Sequence, residues 1–349
     1  MPTPEPSLSL LAHKASRLAR QGLPVLQLGA RRALRQKSPF QITFSLTNRC
    51  NFKCEYCDIP LQHREELNLE EWKAAIDDFR EGGMGRASLI GGEPLLHRDI
   101  GPIIAHLKAR GVHTAMNTNG WLVEDMLDEV CALDLVCITL DGPEAVHDAQ
   151  RRKGSYQRVI RALELLQGRG VSAVTMTVVT PSGADNVEHV LEVAKRFGHK
   201  AFFQLEHDKS CDVAAPIAPR LTDRRIEDFV KHLLDLKARG ENVGNSKMIL
   251  EAQLTGGRYL GTCKDCFAGR YYGYVLSDGT VAPCLLTQWQ QEKGNGRKHG
   301  YVRAFHDMPA PMGPGCSCVP THEVNHVLAF DPAALWNAVE VTLNLPSAG

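Results

Sequence analysis

From residue 41 to about residue 240, short apolar runs alternate with longer stretches in which apolar residues recur every three or four positions. The short runs predict strands and the longer stretches predict helices. The predicted strands are Gln41–Thr47, Arg86–Ile90, His113–Asn117, Leu135–Leu140, Ser172–Val179 and Ala201–Leu205. The predicted helices include Leu69–Arg80, Ile100–Arg110, Val123–Ala132, Tyr156–Gln167 and Asn186–Arg196. Six such β-α units predict an α/β fold with a parallel sheet and right-handed crossovers.

The start of the first of these helices carries a recognisable signal. Asn68 stands where the N-cap residue is expected, and Glu71 follows three residues later, which is the spacing of a capping box. Several of the helices are followed by glycine, the residue that most often ends a helix.

The composition excludes several classes of protein. The chain has 349 residues, enough for one large barrel and a smaller appendage. Lys+Arg and Asp+Glu both number 40, so the overall charge does not favour a nucleic-acid partner. The sequence has no charge-free apolar run of membrane-spanning length. Its 11 cysteines are odd in number and include metal-type spacings, which predicts a reducing, cytoplasmic location.

Three cysteines stand close together directly after the first predicted strand. Cys50, Cys54 and Cys57 have the spacing C-x3-C-x2-C. Three thiolates in one short loop can ligate three irons of a [4Fe–4S] cluster, which takes four ligands. The fourth iron is then open to a ligand that is not protein, much as a catalytic zinc keeps a vacant position. The loop therefore predicts a cluster that takes part in chemistry.

Polar motifs follow the next three predicted strands. They are Gly91-Gly92-Glu93-Pro94, then Thr118-Asn119-Gly120, then Ile138-Thr139-Leu140-Asp141-Gly142-Pro143 with His147-Asp148, Arg151 and Gly154-Ser155-Tyr156. Because the carboxyl ends of parallel strands meet at one edge of a sheet, we expect these motifs to lie close to the cysteine loop.

Taken in this order, the loop and the motifs resemble those of radical S-adenosylmethionine (SAM) enzymes, and the similarity covers residues 41–205. The resemblance implies an open partial (β/α)6 barrel, similar to a TIM barrel, with its active site at the carboxyl ends of the strands. It also implies that SAM chelates the open iron. An electron, supplied by a donor such as flavodoxin or ferredoxin, then splits SAM into methionine and a 5′-deoxyadenosyl radical, which abstracts a hydrogen atom from the substrate.

The resemblance further implies which residues contact SAM. The Gly-Gly-Glu-Pro segment holds the methionine amino group, and Thr139 and Arg151 contact the carboxylate, for which the bidentate fork of arginine is well suited. The family usually has serine where this chain has Thr139, which keeps the hydroxyl. Arg152 is adjacent, so the assignment to Arg151 and not to its neighbour depends only on aligning His147-Asp148 with the family motif. The full set of expected SAM contacts is Tyr56, Gly91, Gly92, Glu93, Pro94, Asn119, Thr139 and Arg151.

Residues at the ends of later strands are candidates for contact with the substrate. Asp141 ends its strand facing the expected site, where it either binds substrate or caps the following turn. Glu206 begins a polar segment after the sixth strand, where substrate groups are met at a barrel mouth. Cys211, in the same segment, receives no predicted role because a reactive cysteine needs an electropositive site.

The C-terminal part holds a second group of cysteines. Cys266 and Cys284 enclose the pattern C-x12-G-x4-C, and Ser277-Asp278-Gly279 between two apolar runs predicts a hairpin turn. The pattern resembles the start of SPASM and twitch domains, which hold auxiliary [4Fe–4S] clusters. Five cysteines are too few for the two clusters of a full SPASM domain, so we expect one auxiliary cluster, with a structural zinc site as the alternative. The candidate ligands are Cys263, Cys266, Cys284, Cys316 and Cys318.

The first 40 residues carry a basic helical pattern with an apolar stripe. We expect this segment to pack across the open barrel as a cap; the alternative is that it rests on an anionic membrane surface. The predicted domains are this segment (1–40), the barrel (41–240), a twitch-like or SPASM-like cluster domain (241–330) and a tail (331–349).

The predicted function is that of a radical SAM oxidoreductase or maturase acting on a small-molecule or lipid-type substrate, with the auxiliary cluster as electron acceptor for a net oxidation. One alternative is a maturase that modifies a peptide. An alternative of another class is a non-catalytic iron–sulfur electron carrier, which needs no SAM pocket.

Overall fold

The structure is a computed structural model that describes residues 24–180, 185–206, 223–254, 266–284, 294–308 and 319–343. Among these residues, no helix is both long enough and apolar enough to cross a membrane. Cys211, Cys263, Cys316 and Cys318 lie outside the described residues, so their predicted roles stay predictions.

A nine-stranded sheet forms the centre of the molecule, in the order β6-β5-β4-β3-β2-β1-β7-β8-β9. Its first six strands in the chain all pair in parallel, which confirms the predicted α/β barrel class. The predicted bounds of these six strands differ from the observed bounds by at most two residues. The strands are β1 Gln41–Ser45, β2 Arg86–Ile90, β3 His113–Thr118, β4 Leu135–Thr139, β5 Ala173–Val179, β6 Lys200–Leu205, β7 Tyr272–Val275, β8 Thr280–Ala282 and β9 Gly294–Asn295.

The predicted hairpin is present and extends the barrel sheet. β7 and β8 pair antiparallel, and Gly279 in the turn between them has φ +83°, a conformation that glycine adopts without strain. β7 also pairs in parallel with β1, so that Thr43 lies opposite Tyr274. The C-terminal cysteine region is therefore joined directly to the strand that leads into the three-cysteine loop.

Helices connect the strands and cover the sheet. They are α1 at residues 24–33, α2 Leu69–Glu81, α3 Ile100–Ala109, α4 Leu127–Cys131, α5 Glu144–Gln150, α6 Ser155–Gly168, α7 Val187–Phe197, α8 Asp223–Ala238, α9 Lys247–Leu254, α10 Gly296–His299, α11 Tyr301–Asp307, α12 Val319–Leu328 and α13 Pro332–Leu343. The capping box of α2 is confirmed, because the Asn68 side chain accepts from Glu71 N–H and the Glu71 side chain accepts from Asn68 N–H. α4 is shorter than predicted, and the sequence analysis did not predict α5.

The core between β1 and α2 explains why these two elements fit together. Phe44 of β1 meets Trp72 and Phe79 of α2 in edge-to-face contacts, with ring centroids 5.9 and 6.2 Å apart. All three side chains are buried, and such aromatic pairs are favourable beyond the area that they bury. This packing fixes the end of β1 from which the cysteine loop departs.

The open edge of the barrel at β6 is covered by residues 242–246. Ala201 N–H donates to Asn242 O, and Gly244 N–H donates to Ala201 O. The Asn245 side chain continues this pattern by bonding both the N–H and the carbonyl of Phe203. The edge strand therefore has no bare row of backbone donors at this place.

Helix α1 lies near the amino ends of β1 and β2. Arg31 donates to Gly82 O, and the side chain of Pro24 lies where a Cβ on Gly85, just before β2, would stand. These contacts place the described part of the N-terminal segment at the end of the barrel opposite the motifs. We expected a cap across the open barrel; residues 24–33 instead pack at its amino-terminal end. The predicted domain boundaries stay predictions.

Candidate active site

The cysteine loop connects β1 with α2 at the carboxyl end of the sheet. Cys50, Cys54 and Cys57 are each partly exposed. The loop folds back on itself through a hydrogen bond from Cys57 N–H to Cys54 O (3.1 Å). Phe52 N–H points at Cys50 Sγ (3.4 Å), which favours the thiolate form of this cysteine.

Burial disfavours the ionised form of Cys50 and Cys54. Burial raises the pKa of Cys50 to about 11, and the nearby Glu93, Cys54 and Cys57 raise it further against the effect of Phe52 N–H. Burial also raises the pKa of Cys54, although the Arg151 guanidinium acts in the opposite direction. Thiolates in such a place are stabilised by a bound metal. Within the described ranges, no three His, Cys, Asp or Glu side chains are placed to bind one metal ion together. A [4Fe–4S] cluster does not need such a group, because each cysteine ligates a different iron.

The Gly-Gly-Glu-Pro turn after β2 packs against the chain that enters the loop. A Cβ on Gly91 would stand 2.4 Å from Thr47 O, and a Cβ on Gly92 would stand 2.3 Å from Arg49 O. Gly92 N–H donates to Thr47 O (2.7 Å). The two glycines are therefore required by the close approach of two backbones, a reason that the sequence analysis did not give.

Glu93 is fully buried and joins the end of β2 to the end of β3. Its carboxylate accepts from Thr118 Oγ1 (2.8 Å) and from the N–H groups of Asn119 (2.8 Å) and Leu95 (3.2 Å). Burial raises the pKa of Glu93 to about 7 in spite of these donors. The expected contact with the amino group of SAM stays a prediction, and Pro94 begins the short 3-10 helix that follows.

Arg151 and Asp141 form a buried ion pair beside the loop. Arg151 Nε lies 2.5 Å from Asp141 Oδ2, and the two side chains are 6% and 0% exposed. Burial alone would lower the pKa of Arg151, but the Asp141 carboxylate outweighs burial and raises it, so the guanidinium stays charged. Arg151 Nη1 lies 4.0 Å from Cys54 Sγ. A fixed positive charge therefore stands directly beside a predicted cluster ligand.

The other bonds of Asp141 hold this pair in place. Tyr56 Oη donates to Asp141 Oδ2 (3.4 Å), and Val178 N–H donates to Oδ1 (3.0 Å). Asp141 N–H donates to His147 Nδ1, which is consistent with a neutral imidazole because burial lowers the pKa of His147 to about 4. Substrate binding by Asp141 stays a prediction, since in this structure both of its oxygens are engaged within the protein.

The structure distinguishes the two adjacent arginines. Arg152 is exposed, lies over the ring of Trp121 with 4.1 Å from its Cζ to the ring centroid, and donates to Asn51 O (3.2 Å). Arg151, which is buried among Cys54, Tyr56 and Asp141, is the arginine that lies at the site. The expected contact of Arg151 with the SAM carboxylate stays a prediction.

Two asparagines connect the loop to the end of β3. Asn119 Nδ2 donates to Asn51 Oδ1 (2.7 Å), and Asn119 Oδ1 accepts from Trp121 N–H. Asn51 Nδ2 is buried and has no hydrogen-bond partner in the structure. A buried donor without a partner is costly, so this amide beside Cys50 fits a site that receives an acceptor group.

The remaining predicted contacts lie at the same edge of the sheet. Thr139 ends β4, and its hydroxyl donates to Thr118 O (3.2 Å). Glu206 directly follows β6 and is buried, with its N–H bonded to Val179 O. The structure therefore brings the predicted residues from β1, β2, β3, β4 and β6 to one end of the barrel.

A second site lies at the base of the β7–β8 hairpin. Cys284 is buried, and Cys266 Sγ lies 3.5 Å from Tyr272 Oη. Burial raises the pKa of Tyr272 well above its usual value, and both Cys284 and Cys266 raise it further. The two described cysteines therefore both lie close to the Tyr272 hydroxyl, and their predicted role as cluster ligands stays a prediction.

Several residues of these sites were missed by the sequence analysis. The missed residues are Asn51, Tyr272 and Asn325. Tyr56, Asn119 and the two arginines were predicted because they belong to motifs. Asn51 could have been found from its position between Cys50 and Phe52. No signal in the sequence connects Asn325 with Cys266, because 59 positions separate them.

An open parallel barrel with a three-cysteine loop at the carboxyl ends of its strands, and a buried arginine beside it, is the arrangement that the sequence resemblance led us to expect. Residues 44–197 match the family model of the Radical SAM superfamily. The cofactors that this superfamily implies are a [4Fe–4S] cluster and SAM.

Three curated relatives are each similar to part of the chain. The Mycofactocin maturase MftC of Mycolicibacterium smegmatis is 32% identical over 46% of this chain and 43% of its own length. The Fe-coproporphyrin III synthase of Methanosarcina barkeri is 32% identical over 37% of this chain and 34% of its own. A PqqA peptide cyclase of Xanthomonas campestris is 29% identical over 46% and 45%. This chain thus spans less than half the length of the curated relatives it matches.

A solved structure shows the same fold over more of the chain. The crystal structure of Streptococcus suis SuiB superposes with a TM-score of 0.64 at 14% identity, and the match covers 78% of this chain and 67% of SuiB. At this identity the likeness concerns the fold alone. It agrees with the partial barrel described above.

Proposed function

We propose that this protein is a radical SAM oxidoreductase that carries out a net oxidation with one auxiliary [4Fe–4S] cluster, and that its substrate is a peptide. The observation that supports the use of SAM is the buried Arg151–Asp141 pair beside Cys54. The observation that supports the auxiliary cluster is the meeting of Cys266 and Cys284 around Tyr272.

The residues at the end of the barrel fit the first cluster and SAM. Cys50, Cys54 and Cys57 would hold three irons, and Asn51 Nδ2, which is buried without a partner, would be available to donate to the group that binds there. When bound, SAM and the reduced cluster supply a carbon radical that abstracts a hydrogen atom. The protein's own task is to bind and orient SAM and to keep water from the reacting atoms.

Arg151 would bind the carboxylate of SAM. Its guanidinium is already dehydrated and held by Asp141, so little ordering is required when a second carboxylate arrives. Tyr56 lies with its ring 5.5 Å from Arg151 Cζ and limits the directions that the guanidinium can take. Glu93 fixes the ends of β2 and β3 relative to each other and thereby the Gly-Gly-Glu-Pro turn.

The second cluster would supply an electron acceptor. A two-electron oxidation removes a hydrogen atom from the substrate and then one further electron, and a proton leaves to a base or to solvent. A cluster with four cysteine ligands has no open iron, so electron transfer is the role that its ligation permits. Cys266 and Cys284 are two of the proposed ligands, and Cys263, Cys316 and Cys318 are the candidates for the others.

The choice of a peptide substrate depends on the relatives. One of them is named a peptide cyclase and acts on the PqqA peptide, and another is named a maturase. This replaces the small-molecule or lipid-type substrate as first choice. A small molecule is the second candidate, and the similarity to an Fe-coproporphyrin III synthase favours it.

Reconstitution under anaerobic conditions tests the proposed chemistry. The protein is expected to hold about eight irons and eight sulfides, four of each per cluster. With SAM and dithionite it should form 5′-deoxyadenosine, which an electron carrier would not. About four irons with stoichiometric zinc would assign the C-terminal cysteines to a zinc site. Many products per SAM consumed would contradict a net oxidation and indicate an isomerase.

A fractionated extract tests the substrate class. The peptide fraction and the small-molecule and lipid fraction of a strain lacking this protein are each added to the reconstituted enzyme. We expect only the peptide fraction to raise 5′-deoxyadenosine formation above its rate without substrate, and protease treatment to remove this effect. Stimulation by the other fraction alone would favour the second candidate.

A further inference from the structure

Helix α12 lies between the open edge of the barrel and the second cysteine site. On one side, Glu323 Oε1 accepts from Ser246 N–H (2.6 Å), next to the segment that covers β6. On the other side, Asn325 Oδ1 accepts from Phe267 N–H (2.9 Å). Residues two positions apart point to opposite faces of a helix, so α12 bridges the two regions.

Two donors from different elements converge on one sulfur. Asn325 Nδ2 lies 3.9 Å from Cys266 Sγ, and Tyr272 Oη lies 3.5 Å from the same atom. Asn325 is buried, and so is Tyr272. A metal-bound thiolate carries no proton, so in the loaded site the phenol and the amide must both donate to the sulfur.

We propose that Tyr272 and Asn325 tune the reduction potential of the auxiliary cluster by donating hydrogen bonds to its ligand Cys266. The inference depends on the auxiliary cluster proposed above. Hydrogen bonds to a cluster sulfur withdraw negative charge from the cluster, which favours the reduced form and raises the potential. A higher potential makes the cluster a better acceptor for the second electron of the oxidation.

The test is a redox titration of the auxiliary cluster by electron paramagnetic resonance in the full-length chain. The Cys50→Ala/Cys54→Ala/Cys57→Ala background removes the signal of the first cluster. In this background Tyr272→Phe and Asn325→Leu are compared with the unsubstituted hairpin. We expect each to lower the midpoint potential, and the double variant to lower it further, at unchanged iron and sulfide content.

Tyr271→Phe is the matched control. It removes the same hydroxyl one residue away, and Tyr271 is also buried, but the structure records no hydrogen bond from it to Cys266 or Cys284. Its potential should equal that of the background. Tyr272→Phe tests the proposal even if Asn325→Leu fails to fold, because it changes only the donor.

Three results would overturn the inference. Equal potentials in Tyr272→Phe and in the background would do so, as would an equal shift in Tyr271→Phe. Lower stability or lower iron content at an unchanged potential would assign a structural role to these residues. If the Cys50→Ala/Cys54→Ala/Cys57→Ala variant shows no iron–sulfur signal, the proposed auxiliary cluster itself is refuted. Iron analysis of this variant distinguishes that outcome from a failure of the inference alone.

Discussion

The two cysteine sites are built in different ways. In the first, three cysteines lie within eight consecutive residues, and the groups around them come from motifs at successive strand ends. In the second, the described cysteines are Cys266 and Cys284, and they meet because a hairpin folds back on β1. A donor from α12 completes the surroundings of Cys266. The first site is thus encoded largely in local sequence, and the second depends on contacts between distant segments.

The polar groups around the two sites also differ. The groups beside the first loop are ionisable and buried: they are the Arg151–Asp141 pair and Glu93. Beside Cys266 stand neutral donors, Tyr272 and Asn325. Buried charges suit a ligand that carries charges of its own, such as SAM, whereas neutral donors suit a closed cluster that exchanges only electrons. The difference agrees with the proposed separation of SAM binding from electron transfer.

The largest expected effect comes from removing the first site. In the Cys50→Ala/Cys54→Ala/Cys57→Ala variant, formation of 5′-deoxyadenosine from SAM and dithionite should fall to background, because no open iron remains. About four irons should be retained in the C-terminal cluster. Product analysis by chromatography and iron analysis measure both quantities. Continued cleavage of SAM would contradict the assignment of the loop.

Removing the second site should affect a different step. In Cys284→Ala, SAM cleavage should stay close to that of the parent protein, while formation of the oxidised product should stop because the second electron has no acceptor. The ratio of 5′-deoxyadenosine to product measures the separation. A parallel loss of both activities would show that the two sites do not act independently.

A smaller effect should distinguish the two arginines. Arg151→Lys loses the guanidinium contact expected with the SAM carboxylate, which is worth about 1.5 to 3 kcal/mol, and should weaken SAM binding by about 10- to 150-fold. Arg152→Lys is the matched control and should change the Kd little, because Arg152 faces Trp121 and Asn51 O. Equilibrium dialysis with the reconstituted protein gives both constants. An equal loss of SAM affinity in the two variants would contradict the assignment of the carboxylate contact to Arg151.

The smallest effect concerns the helix that joins the two regions. Burial raises the pKa of Glu323 from 4.5 to about 7, although Ser246 and Lys237 act in the opposite direction. A raised carboxyl pKa means that this group favours the folded state most below pH 4.5 and loses that contribution as the pH rises through about 7. Glu323→Gln should therefore stabilise the protein by about 1 to 2 kcal/mol at pH 8.5 and much less at pH 5.5.

Denaturant unfolding at the two pH values measures this difference. Glu251→Gln, which changes an exposed glutamate of α9, serves as the control and should show no such pH dependence. A Glu323→Gln variant that is less stable than the parent at pH 8.5 would show that the charged form is the one that holds α12 to Ser246.

Local patterns predicted local structure well. The six strands and the capping box of α2 were predicted because apolar periodicity and the Asn68–Glu71 pair are complete within short windows. The prediction for α4 was too long, since residues 121–126 form turns in which Asn119 Oδ1 binds Trp121 N–H. α5 was missed because it has seven residues, although Pro143 before it is a signal for a helix start.

The sequence by itself determined the barrel class, the three-cysteine loop and the order of the motifs, since each is contained in a few consecutive residues. Only the tertiary structure decided that Arg151 and not Arg152 lies beside Cys54, and that Asp141 is engaged by Arg151, Tyr56 and Val178. It also decided that β7 continues the sheet at β1 and that Asn325 reaches Cys266. The physical reason is that side-chain direction and contacts between distant segments are set by packing, which no short window of sequence contains.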